Sequence, residues 1–167
     1  MLITKNIANL INQQIGHEFG AATQYVAMAA YFTDEGLSNL ARYFYKQAEE
    51  ENKHALKFIK YLGDTATPVE IPAIPQPINK FKSAEEAIQA AYNSEMRVTK
   101  QIEAILALAV KESNYFTQNF LQWFINEQLE EVSSMDYLLK LVQRAGEKGL
   151  LQVDAVIARE GHPEDKD

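Results

Sequence analysis

Cysteine is absent from this chain of 167 residues. Its absence excludes disulfides, thiolate zinc sites, iron–sulfur clusters and thiol catalysis. Long apolar runs are absent too, so no segment reaches the ~20 residues of a membrane-spanning helix. The opening MLITKNIANLINQQIG is amphipathic and lacks the apolar block and cleavage site of a signal peptide. A cytoplasmic protein is expected. Positive charge is in deficit: 16 basic side chains against 23 acidic ones give a net charge of −7. That balance leaves no basic footprint for nucleic acid, and neither a nucleic-acid nor a membrane partner is expected. Proline is scarce outside one stretch, since four of the five fall between Pro68 and Pro77. The remainder, 47% apolar overall, suffices for one domain with a real core.

The apolar residues recur with helical spacing almost throughout. Four long helices are predicted, over roughly residues 6–33, 37–62, 84–112 and 115–146, punctuated by Gly36, Gly63 and Gly146. Ser83 with Glu86 fits a capping box, and Asn114 is a good N-cap. A short fifth helix, LLQVDAVIARE, covers about residues 149–160. The tail GHPEDKD, residues 161–167, is polar and expected to fray, carrying His162 into solvent. Short links make helices one and two, and three and four, antiparallel hairpins. The proline-rich linker between helices two and three is different. Its roughly twenty residues can extend ~60 Å, whereas a 26-residue helix is only about 40 Å long. The chain can therefore return along the whole bundle. The fold expected is all-α: a single domain over residues 1–160, with a four-helix bundle, one long crossover and a short C-terminal helix.

Each helix can be laid on its buried stripe by steps of four and three. The second gives Leu37, Ala41, Phe44, Ala48, Glu51, Ala55, Phe58 and Leu62, with Glu51 alone among apolar or small residues. The first carries Glu18 in mid-stripe, the third Glu95, and the fourth Gln128 and Glu131. One such Glu would usually be solvated. Four at matching depth, without a stripe of Lys or Arg to neutralise them, call for bound cations, since a buried ionised carboxylate costs several kcal/mol. The positions also repeat. Glu18 and Glu95 stand 77 residues apart, as do Glu51 and Gln128, and His54 and Glu131. Glu51 and His54, at i and i+3, share one helix face. A Glu from each of two helices plus Glu-x-x-His from the others is the ligand pattern of di-iron carboxylate bundles. Here the second pair is Gln128 and Glu131, so the site is asymmetric. Carboxylates with one imidazole and no sulfur suit iron or manganese and admit zinc.

From INQQIGHEF through QAEEENKHA, YNSEMRVTKQI and FLQWFINEQLEE to the fifth helix, the chain resembles the bacterial non-haem ferritins. The resemblance implies a ferroxidase that oxidises ferrous iron with dioxygen and stores the ferric product in a cage of 24 subunits. It implies a first iron site at Glu18, Glu51 and His54. A second would be at Glu51, Glu95 and Glu131, with Glu51 bridging and Gln128 beside it. It places Tyr25 near the centre, Trp123 close by, and a third iron site at Glu50, Glu127, Glu130 and Glu131. In the family the fifth helix packs around a symmetry axis, which would bury Leu150, Leu151, Val153, Val156 and Ile157. Bacterioferritins place a haem-ligating methionine directly after the bridging glutamate; here that residue is Asn52, so haem is not expected.

Two other readings stand beside this one. The same cage could buffer metal without turnover, or the polar positions could merely fix helix register. Glu49 and His17 lie off the stripe and read as surface residues. Trp123 and Tyr25 could serve as plain packing.

Overall fold

The computed structural model describes residues 1–163. Five helices follow one another: α1 (Lys5–Asp34), α2 (Ser38–Asp64), α3 (Ala84–Lys111), α4 (Tyr115–Ala145) and α5 (Leu150–Glu160), with a 3₁₀ turn at Glu147–Gly149. The expected all-α bundle with one long crossover is the observed architecture. Its ends are capped as the sequence suggests. Ser83 Oγ accepts from Glu86 N at 3.1 Å and Asn114 Oδ1 from Thr117 N at 2.9 Å. Thr4 adds a cap on Ile7 N. Gly36 and Gly146, with φ of +73° and +60°, close α1 and α4.

Gly63 does not end its helix, as expected, but lies inside α2. The left-handed residue is Ala66, at φ +53°. Ala66 N and Thr67 N close the end on Gly63 O and Leu62 O. The hydroxyl of Thr65 adds bonds to Tyr61 O and Leu62 O. These contacts hold an alanine where glycine would be the cheaper choice.

Polar contacts fix the direction of the helices. Leu2 N donates to Thr65 O at 3.0 Å, and Asn114 Nδ2 donates to Leu2 O at 2.9 Å. The start of α1, the end of α2 and the start of α4 thus share one end of the bundle. The crossover returns from that end along α1. It is held by residues spaced every four positions, which lie along one face of a helix. Asn12 exchanges bonds with Pro68 O and Glu70 N, and Gln24 with Ile78 N and O at 2.8 and 2.9 Å. Between them the crossover presses on Gly16 and Gly20. A Cβ at Gly16 would meet Pro72 Cγ at 2.3 Å, so glycine is what lets the proline-rich strap lie flat. The two amides satisfy backbone groups that an extended segment cannot pair internally.

The apolar core is split in two. One cluster gathers Met28, Phe32, Leu40, Phe44, Ile88 and Leu138 with their neighbours. The other gathers Ile7, Ile11, Phe58, Leu62, Ile102 and Phe124 with theirs.

Three of the five large apolar residues of the fifth helix are covered by its own bundle. Leu150, Val153 and Ile157 are buried in the first cluster, so no second subunit is needed for them. Leu151 is left exposed and Val156 half-buried. Asp154 anchors the helix. It accepts from Asn39 N and Leu40 N, both at 2.9 Å, and from Asn39 Nδ2 at 2.7 Å. The N-cap of α2, Leu37, has no side chain able to do this. A carboxylate 114 or more positions away thus caps α2 and meets its positive dipole end. Asp154→Ala should lower stability by about 1–2 kcal/mol in denaturant titrations. It should also speed amide exchange in α5 ahead of the bundle. Unchanged exchange in α5 would show that apolar contacts alone hold it.

Candidate metal centre

Glu18, Glu51, Glu95 and Glu131 project from the middles of α1, α2, α3 and α4 into the gap between the two apolar clusters. All four are at most 5% exposed, as are Gln14, Gln47, Glu50, His54 and Gln128. Among the described residues, no Lys or Arg is buried with them. The helical stripes put them there: the apolar neighbours must face inward, and the carboxylates are carried in with them.

Among the described residues, two groups of metal-ligating side chains have ligand atoms within 4.8 Å of one another: Glu18 with Glu51 and His54, and His54 with Glu127 and Glu131. The first is the trio expected for one iron. In the second, Glu131 stands with His54 and Glu127 and not with Glu51 and Glu95. Glu95 belongs to neither group and is held by hydrogen bonds. Tyr25 Oη donates to its Oε1, and Gln128 Nε2 to its Oε2 at 3.2 Å. Gln128 also reaches Glu95 O and Thr99 Oγ1. Tyr25 and Gln128 are thus tied to the carboxylate layer. His54 Nδ1 lies 3.2 Å from Glu51 Oε2. Its ring is braced edge-on by Trp123 and Phe124 at centroid distances of 5.4 and 5.8 Å. The ammonium of Lys57 sits over the Trp123 ring.

Of the four residues expected at a third site, Glu127 and Glu131 share one ligand group. Glu127 is half-buried beside Glu131, Glu130 is exposed, and Glu50 is buried on α2. Its Oε1 faces His162 Nδ1 at 3.1 Å. That contact corrects the expectation of a solvated His162, which is 3% exposed. The rest of the expected frayed tail, residues 164–167, lies outside the described residues. Glu49 and His17 are exposed, as expected.

Two residues of the layer were not singled out from sequence. Gln14 Nε2 donates to Glu18 Oε1 at 2.8 Å, and Gln47 Nε2 to Glu131 Oε2 at 2.8 Å. Gln14 was detectable, as a polar residue on the α1 stripe one turn before Glu18. Gln47 sits beside the α2 stripe and gives no such signal.

The electrostatics follow from crowding like charges away from water. Burial pushes Glu18 up from 4.5 to about 7, with the field of Glu95 adding to it and contacts with Glu51 and Gln14 offsetting part. Burial, then the charges of Glu95 and Glu18, hold Glu51 well above the carboxylate range. Glu131 is raised likewise by burial, Glu95 and Glu50. Burial raises Glu95 as well, while bonds from Tyr25 and Gln128 pull it back. Tyr25 is raised well above 10.0 by burial and these carboxylates, so it acts as a hydrogen-bond donor. Glu18 Oε2 is buried with no hydrogen-bond partner. Acidic oxygen ligands, one imidazole and an unsatisfied buried oxygen suit a hard or borderline divalent cation.

A ferritin-like domain family matches residues 8–145. The chain is 41% identical to ferritin BfrB of Mycobacterium tuberculosis over 151 residues, covering 90% of this chain and 83% of that protein. It is 34% identical to the bacterial non-heme ferritin of Staphylococcus haemolyticus over 146 residues, 87% and 88% of the two. The fold superposes on an open-pore ferritin of Archaeoglobus fulgidus with a TM-score of 0.90 and 30% identity, over 93% of this chain and 96% of that one.

Proposed function

The chain belongs to the ferritin family, and on that premise we propose that it oxidises ferrous iron with dioxygen at a di-iron centre within each subunit. It stores the ferric product as a mineral inside a cytoplasmic cage of 24 subunits. One observation carries this reading: four carboxylates meet in a buried layer with no Lys or Arg, among the described residues, buried with them. Iron here is substrate and cargo.

Glu18, Glu51 and His54 take the first ferrous ion. Glu95 and Glu131 take the second, with Glu51 between the two. Binding displaces the protons that crowding holds on Glu51 and Glu131. Tyr25 and Gln128 keep Glu95 in place while its partners move. Anionic oxygen ligands favour ferric over ferrous iron, so each ion gives up one electron and dioxygen accepts the pair. Glu131 is buried, Glu127 half-buried and Glu130 exposed. This grading on one helix suits passage of the ferric product outward along α4.

Gel filtration with stepwise ferrous loading in air tests the reading. A particle near 24 chains should take up iron far beyond two ions per chain. Uptake that stops at the site count would leave a metal buffer without storage. Binding without oxygen consumption would remove the ferroxidase.

A further inference from the structure

The C-terminal segment reaches the metal layer. After α5, Gly161 turns the chain back with φ of +73°, and His162 packs against α2. Asp154 fixes the helix that carries it. The imidazole makes polar contacts with Gln47 and Glu50 and packs on the Tyr43 ring at 4.7 Å between centroids. Its Nε2 lies 2.6 Å from Gln47 Oε1, and its Nδ1 lies 3.1 Å from Glu50 Oε1.

The orientation of Gln47 ties these contacts together. Its Nε2 donates to Glu131 Oε2, so its Oε1 is the atom left to face His162. With the amide in that orientation, the imidazole donates through Nε2. The amide is then held at both ends, and it holds Glu131 in turn. Without His162, Gln47 Oε1 would be buried without a donor, at a cost that favours turning the amide away. The other nitrogen lies against Glu50, the neighbour of Glu51 on α2.

The geometry points to His162 as a positioning residue for the metal layer: through Gln47 it sets the placement of Glu131. The C-terminal segment thereby controls how tightly the Glu131 side of the layer holds a cation. This rests on the reading that the layer binds metal.

The test uses the full-length protein, anaerobic, with cobalt(II) as probe. Its ligand-field absorption reports geometry without any turnover. The wild type should show two classes of site. His162→Ala should weaken the weaker class by about tenfold, the low end of what loss of a ligand's hydrogen-bond partner costs. The absorption band of that class should change, and the tighter class should stay as it was. His162→Gln, whose amide can still donate to Gln47, should recover most of the affinity. Gln47→Leu should reproduce His162→Ala, and the double variant should be no worse than either single one. Unchanged cobalt binding and spectrum in His162→Ala would overturn the proposal, as would effects of the two single variants that simply add. If His162→Ala fails to fold, the comparison becomes His162→Gln against His162→Asn, whose shorter amide cannot reach Gln47. Equal behaviour of these two overturns it. A wild type that binds no cobalt refutes the metal reading itself; binding that ignores position 162 refutes this proposal alone.

Discussion

Glu51→Gln should slow ferrous oxidation by about 100-fold or more while leaving the particle assembled. The floor comes from the loss that follows when only a ligand's supporting partner is removed, 10- to 100-fold; Glu51 is proposed as a ligand to both ions. The amide is chosen for a structural reason. Burial and the charges of Glu95 and Glu18 hold Glu51 well above the carboxylate range and favour its neutral form in the metal-free fold. Glutamine is nearly isosteric with that neutral acid, so the fold should register little change. What is lost is the oxygen anion that a cation needs. His54→Ala should slow oxidation to a similar extent for a different reason. It removes the one imidazole that belongs to both ligand groups. It also leaves a void against Trp123 and Phe124, so a stability loss of about 1–3 kcal/mol accompanies it. Stopped-flow oxidation with gel filtration of the same samples checks both. Rates within roughly twofold of wild type in the two variants would remove these residues from the chemistry.

The helices and their stripes were legible because burying an apolar face imposes a strict period on the sequence. Glu18, Glu51, Glu95 and Glu131 could be found by the same logic, as charges that the period forces inward. Gly63 misled because the signal for a helix end was local, while the contacts that closed α2 came later, from Thr65 and Thr67. The Asp154 cap was hidden for a related reason. It depends on two segments more than a hundred residues apart, and nothing near Leu37 announces it. The strap face of Asn12, Gly16, Gly20 and Gln24 is regular in sequence. Its meaning depends on which extended segment crosses it. His162 was least legible of all. A histidine between glycine and proline in a polar tail has every local mark of exposure. Only the docking of α5 on its own bundle brings it to Gln47.

The metal-free protein should grow less stable as pH rises from 5 to 8, the reverse of ordinary acid denaturation. The direction follows from where the protons sit. Glu18 moves from 4.5 when unfolded to about 7 when folded, and Glu51 and Glu131 are raised as well. Between those values the folded chain binds more protons than the unfolded one, so the free energy of unfolding falls with pH. The favourable contribution is complete below about 4.5 and is lost as pH passes through about 7. Glu18 alone accounts for about 3 kcal/mol at 1.36 kcal/mol per unit, set against a typical total of about 5–15 kcal/mol. A bound cation reverses the balance. It supplies the missing positive charge and competes with protons for the same oxygens, so its stabilisation should be largest at pH 8 and fade toward pH 5. Guanidinium midpoints at fixed chain concentration, with chelator and then with saturating cobalt(II), measure both slopes. The double variant Glu18→Gln, Glu51→Gln should flatten the chelated curve and lose most of the cobalt effect at pH 8. Stability that stays level or rises between pH 5 and 8 in the chelated wild type would mean that these carboxylates are neutralised within the protein, and that the layer needs no cation.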